Sequence, residues 1–156
     1  MKKKIKKYKL CTVVGTRPEI IRLSVILKKF DKEFEHTLIH TGQNFDHELS
    51  KIFFEDLNLK LPKFQINSFS GNSIGTISKA MIKVDEILNK IKPDAFFILG
   101  DTNSALTAIC AKKRKIPIFH YEAGNRSFDQ RVPEEANRKI VDVIADINFT
   151  YSHLSK

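Results

Sequence analysis

The sequence predicts an α/β domain built on a parallel sheet, and three observations carry that reading. Short apolar runs rich in β-branched and aromatic residues recur along the 156-residue chain at Leu10 to Val14, Thr37 to Thr41, Ala95 to Leu99, Ile116 to Tyr121 and Ile147 to Tyr151; each reads as a buried strand. Helical patterns lie between them, the clearest being Ile74, Ile77, Met81, Val84, Leu88 and Ile91, whose steps of three and four make one apolar stripe. The connections are short, without internal repeat or low-complexity linker. Strands alternating with helices through short turns specify right-handed crossovers, and hence a Rossmann-like sheet. A hydrophobic content of 42% supplies one ordinary core. Residues 10–156 are therefore read as one domain and residues 1–9 as a basic leader.

The first strand runs into Gly15-Thr16-Arg17-Pro18-Glu19, a tight turn and a helix opened by proline at its first position. This turn has one glycine, whereas the dinucleotide fingerprint and the phosphate loop each need more, so neither NAD nor a nucleoside triphosphate is supported. What remains is Arg17 beside free helix N–H groups, an anion site to which Arg22 further along the helix adds charge. The bland alternative makes both arginines surface charges on a helix start.

In the second strand, His36 and His40 are four residues apart, which in extended chain separates them by about 13 Å, too far for one ion. No metal is expected. The third strand delivers Asp101, in Gly100-Asp101-Thr102-Asn103-Ser104, to the carboxyl edge of the sheet. There it is placed either for chemistry or to cap the next helix. The fourth strand ends in Glu122-Ala123-Gly124-Asn125-Arg126, and Pro133 then opens a helix holding Glu134, Glu135, Asn137, Arg138 and Asp142. Helical spacing groups Glu134 with Asn137 and Arg138, and Glu135 with Lys139 and Asp142 on another face. Glu134 is the site candidate and Glu135 the expected surface residue. An ordinary Glu134–Arg138 pair on a dipole-decorated helix start is the competing reading. Only five residues come after the last strand, so a longer two-domain protein is expected.

The net charge of +9 is concentrated in the leader MKKKIKKYK. The remainder lacks the arginine and lysine face, interleaved with aromatic residues, that nucleic-acid binding requires. No apolar run approaches the roughly 18 residues of a membrane span. The apolar stretch after the leader is too short for a secretory signal and runs into a charged turn. Two cysteines, Cys11 and Cys110, sit in apolar segments without basic neighbours; they read as packing residues in a reducing cytoplasm.

Four segments together, GTRPE at 15–19, TGQN at 41–44, GDTNS at 100–104 and EAGNRSFDQRVPEEANR at 122–138, resemble the non-hydrolysing UDP-N-acetylglucosamine 2-epimerases. The match covers nearly everything after the leader. The resemblance implies the N-terminal domain of a glycosyltransferase-B type two-domain enzyme, with no cofactor, a UDP-sugar substrate and, in the full-length protein, a homodimer. It implies inversion at sugar carbon 2 by elimination and re-addition of UDP, in the synthesis of bacterial surface polysaccharide precursors. Asp101, Glu122 and Glu134 take the carboxylate roles, and Arg17 and Arg22 hold the diphosphate. Asn137 and Arg138 also fall within the matching segment and are taken as substrate-binding. Gln43 matches a position near an activating second UDP-sugar, although Asn44 departs from the histidine common at the next position. The segment NRSFDQRVPEE is similar to the subgroup acting on 6-deoxy UDP-sugars in UDP-N-acetyl-L-fucosamine formation. Residues 1–156 alone are expected to be inactive. A UDP-sugar transferase domain of the same architecture and a non-catalytic remnant are the alternatives left open.

Overall fold

The computed structural model describes residues 6–42 and 47–155. Six parallel strands form one sheet: β1 (Lys9–Val14), β2 (Glu35–His40), β3 (Phe64–Gln65), β4 (Ala95–Leu99), β5 (Ile118–Tyr121) and β6 (Ile147–Phe149). Their order across the sheet is β3-β2-β1-β4-β5-β6. The chain winds outward from β1 in one direction and, from β4, in the other. The reversal opens a crevice at the carboxyl ends of β1 and β4. In register, Leu10 pairs with Ala95 and Val13 with Ile98, so these two strands end together.

Side-chain alternation decides which helices cover which face. Leu10, Val14, Leu38, Phe97 and Leu99 pack with Ile20, Leu23, Leu27 and Phe54, placing α1 (Arg17–Glu33) and α2 (His47–Asp56) on one side. Cys11, Val13, Ile39, Phe96, Ile98 and Ile118 pack with Val84, Leu88, Ala111 and Val141. That second core belongs to α3 (Ser73–Ile91), α4 (Ala108–Lys113) and α5 (Pro133–Ile144). The stripe read from Ile74 to Ile91 is α3, capped by Asn72, whose side chain accepts from the Gly75 N–H. Ile74 itself, at the open first turn, stays exposed.

Several expectations are corrected. Helix α1 starts at Arg17, one residue before Pro18. Strand β5 starts at Ile118 because Pro117 has no N–H to place in a ladder. β6 is an exposed edge strand, not a buried one; it ends at Phe149, with Ile147 and Phe149 still 46% and 42% accessible. The two-residue β3 carries too little sequence for any period to register, and α2 was not anticipated. Both thiols are buried. Burial pushes Cys11 far up and Cys110 to about 11, which keeps them protonated.

Candidate active site

Two strand ends and one helix start present the acids. After β4 the chain turns at Gly100, with φ +64°, into Asp101. The Asp101 carboxylate pairs with the Arg138 guanidinium, and its carbonyl accepts from Asn137 Nδ2 at 2.9 Å. The capping alternative fails here. The 3-10 turn after it, Asn103–Thr107, has Thr102 at its N-cap and receives no side-chain cap. Asp101 is thus held by α5 while remaining about a quarter exposed to the crevice.

After β5, Glu122 adopts φ +70°, a left-handed conformation unusual for a residue with a side chain. Its Oε2 lies 2.5 Å from Arg22 Nη1 and 3.5 Å from the Tyr151 hydroxyl. The Arg22 guanidinium is pushed up chiefly by the hydrogen bond and charge of Glu122, with a further contribution from Asp101. Burial together with the charge of Glu122 pushes the Tyr151 phenol up as well. Arg22, Glu122, Asp101 and Arg138 therefore form one alternating array of charge at the edge of the sheet.

Arg17 is half-buried at the first position of α1, its guanidinium 5.9 Å from the centre of the Phe53 ring. Glu134 is exposed in the first turn of α5, and among the described residues Arg138 pairs with Asp101 and Glu135. The expectation for Glu135 is overturned: it is buried, accepting from the Ser127 N–H at 3.0 Å and from Arg138 Nη1 at 2.9 Å. Helix periodicity defines faces but leaves open which one turns inward, and the Asn125–Asp129 loop folds back over the face carrying Glu135. Ser127 holds the Glu135 carboxyl below its ordinary range, with Lys139 and Arg138 adding to the effect. Gln43 lies outside the described residues.

Sequence reasoning missed several groups that build this site. Asp142 accepts from the Gly124 N–H at 3.2 Å and pairs with Arg126 at 2.7 Å, tying the Glu122–Arg126 turn to α5. His120 is fully buried; its Nε2 meets the Gly100 carbonyl at 2.8 Å. Its Nδ1 comes within 2.9 Å of Asp142 without an aligned hydrogen bond. The signal for Glu19 was present, since Thr16-x-x-Glu19 before an apolar run is a capping box. No local pattern marks Asp142 or Tyr151, whose partners are distant in sequence.

A doubly wound parallel sheet with acids and guanidinium groups paired at its switch point defines a Rossmann-type domain with a charged carboxyl edge. A family model described as UDP-N-acetylglucosamine 2-epimerase matches residues 28–156. The UDP-N-acetylglucosamine 2-epimerase of Methanocaldococcus jannaschii is 43% identical over 150 residues, covering 95% of this chain and 41% of the relative. The UDP-2,3-diacetamido-2,3-dideoxy-D-glucuronate 2-epimerase of Pseudomonas aeruginosa is 38% identical over 144 residues, covering 90% and 41%. Among solved structures, UDP-N-acetylglucosamine 2-epimerase from Rickettsia bellii superposes with a TM-score of 0.89 at 52% identity, covering 96% of this chain and 40% of that one. The M. jannaschii enzyme in complex with UDP-GlcNAc and UDP gives 0.89 at 42% identity, covering 94% and 41%. The chain belongs to the UDP-N-acetylglucosamine 2-epimerase family. It spans about 40% of the length of the relatives it matches. Among the described residues no helix is long and apolar enough to cross a membrane.

Proposed function

We propose that this chain is the N-terminal, Rossmann-like domain of a glycosyltransferase-B type UDP-sugar 2-epimerase, an isomerase that inverts carbon 2 of a 2-acetamido sugar. The observation that carries the reading is the convergence of Asp101 and Glu122, each on an arginine, at the switch point of the sheet. Family membership and the nucleotide and nucleotide-sugar in the M. jannaschii complex support it.

The hydrogen on carbon 2 is not acidic, because no carbonyl lies beside it. Direct deprotonation is therefore prohibitive. Breaking the bond from carbon 1 to the UDP oxygen while a base removes that hydrogen gives a 2-acetamidoglucal and free UDP. Re-addition of UDP to carbon 1, with a proton delivered to the opposite face of carbon 2, completes the inversion. Asp101, Glu122 and Glu134 are assigned the proton transfers, which typically contribute about 10²–10⁴-fold each. Arg17 and Arg22 stabilise the departing diphosphate, and Asn137 and Arg138 hold the Asp101 turn and the substrate beside it. Gln43 is assigned to an activating second UDP-sugar. The protein is proposed to act in the cytoplasm, as a homodimer, in supplying surface polysaccharide precursors, without a cofactor and without binding nucleic acid.

The two sugars proposed are UDP-N-acetylglucosamine and a 6-deoxy relative of the UDP-N-acetyl-L-fucosamine route, which share UDP and differ only in the sugar. The test is incubation of the whole protein with each UDP-sugar alone in deuterated water. Deuterium at carbon 2 with no added acceptor is the expected result. Activity only when an acceptor is supplied would establish a transferase instead.

A further inference from the structure

The two turns that present Arg17 and Asp101 come from different strands, and one buried carboxylate touches both. Glu19 is 2% accessible. Its Oε2 accepts from the Gly15 N–H at 2.8 Å, the Thr16 N–H at 2.7 Å and the Thr16 hydroxyl at 2.8 Å. Its Oε1 accepts from the Thr102 hydroxyl at 3.1 Å, across 83 residues of sequence. A cap that served α1 alone would need only the first set. The fourth bond reaches over the crevice to the residue directly after Asp101.

We propose that Glu19 is a positioning residue for the epimerase reaction, clamping the Gly15–Arg17 turn to the Asp101–Thr102 turn so that the diphosphate-binding arginine and the acid stay in fixed register. The proposal deepens the proposed epimerase function and rests on it. Positioning matters because elimination requires the leaving group and the carbon 2 proton to be engaged together, and a displacement of about 1 Å can cost on the order of 100-fold in rate.

The bond pattern shows whether geometry or charge is at work. Burial pushes the Glu19 carboxyl above the ordinary carboxylate range, against the pull of all four hydrogen bonds. A glutamine can reproduce the pattern: its carbonyl oxygen accepts the Gly15 and Thr16 donors, and its amide donates to the Thr102 hydroxyl, which reverses its role. Removal of the side chain abolishes both halves of the clamp. Loss of the Thr102 hydroxyl alone breaks only the link between the turns and leaves the α1 cap in place.

The experiment compares the whole wild-type protein with Thr102→Val, Glu19→Ala and Glu19→Gln, measuring kcat and KM on UDP-N-acetylglucosamine and its 6-deoxy relative, with thermal melting alongside. The expected result is that Thr102→Val lowers kcat roughly 10- to 100-fold while KM stays near wild type and the melting temperature falls by only a few degrees, because Glu19 keeps its three other hydrogen bonds. Glu19→Gln recovers most of the kcat that Glu19→Ala loses. Wild-type kcat in Thr102→Val would overturn the clamp and leave Glu19 as a local helix cap. A kcat loss in Glu19→Gln as deep as in Glu19→Ala would also overturn it, since charge rather than hydrogen-bond geometry would then be at work. If the wild-type protein turns over neither sugar, it is the proposed function that has failed.

Discussion

Replacing Asp142 with alanine isolates the contact that holds the Glu122 turn against α5. Asp142 is 10% accessible, and its two oxygens share the Gly124 N–H at 3.2 Å. Gly124 has φ +77°, and a side chain there would collide with the Ser155 carbonyl oxygen, so this turn has little room to relax. Losing a hydrogen bond from a buried backbone N–H to a charged acceptor costs about 1.5–3 kcal/mol. The Arg126 partner is 29% accessible and can turn to water, so its share is discounted to about 1 kcal/mol or less. The close approach of His120 Nδ1 is not an aligned hydrogen bond and adds nothing to this sum. Together these give about 3 kcal/mol, which for a chain of this size lowers the melting temperature by roughly 6–12 °C. Differential scanning calorimetry and urea denaturation of wild type and Asp142→Ala at pH 7.5 are the assays. A fall of less than about 2 °C would refute the argument, because it would mean that the turn is held by something other than this carboxylate.

Glu135→Gln is expected to lower the melting temperature clearly at neutral pH, against the silence expected of a surface substitution. Because the Glu135 carboxyl is held below its ordinary range in the folded protein, its stabilisation is present above the unfolded value and is lost as pH falls through the folded one, so the two melting curves converge in acid. Arg17→Ala is expected to lower kcat as well as raise KM, and Arg17→Lys to recover only part, since lysine offers a point charge but no planar pair of donors; steady-state kinetics on the whole protein measure both. His36 is pushed below the ordinary histidine range first by burial, against the opposing pull of Asp31. The unfolded chain therefore takes up a proton before the folded one does, and stability falls as pH drops from about 6.5 toward the folded value. Urea denaturation at pH 7.5 and 5.5 should show that His36→Gln flattens this segment of the profile.

The sequence by itself determined the class of fold and offered four segments as the candidate site. Those features are local: a buried strand is recognisable from its own residues, and Gly15, Gly100 and Gly124 mark the turns where the chain must reverse. Asp101 and Glu122 were legible for the same reason, because each comes at the end of an apolar run. Tertiary structure decided everything that depends on a partner far along the chain. It paired Asp101 with Arg138 and Glu122 with Arg22. It turned Glu135 inward, because the loop through Ser127 folds over one face of α5 and leaves Glu134 in the open. It joined Glu19 to Thr102 because β1 and β4 are neighbours at the point where the strand order reverses. Helical periodicity fixes which side chains share a face, but only packing between elements fixes which face meets the sheet, and the contacts that set the charge of this site lie on that second level.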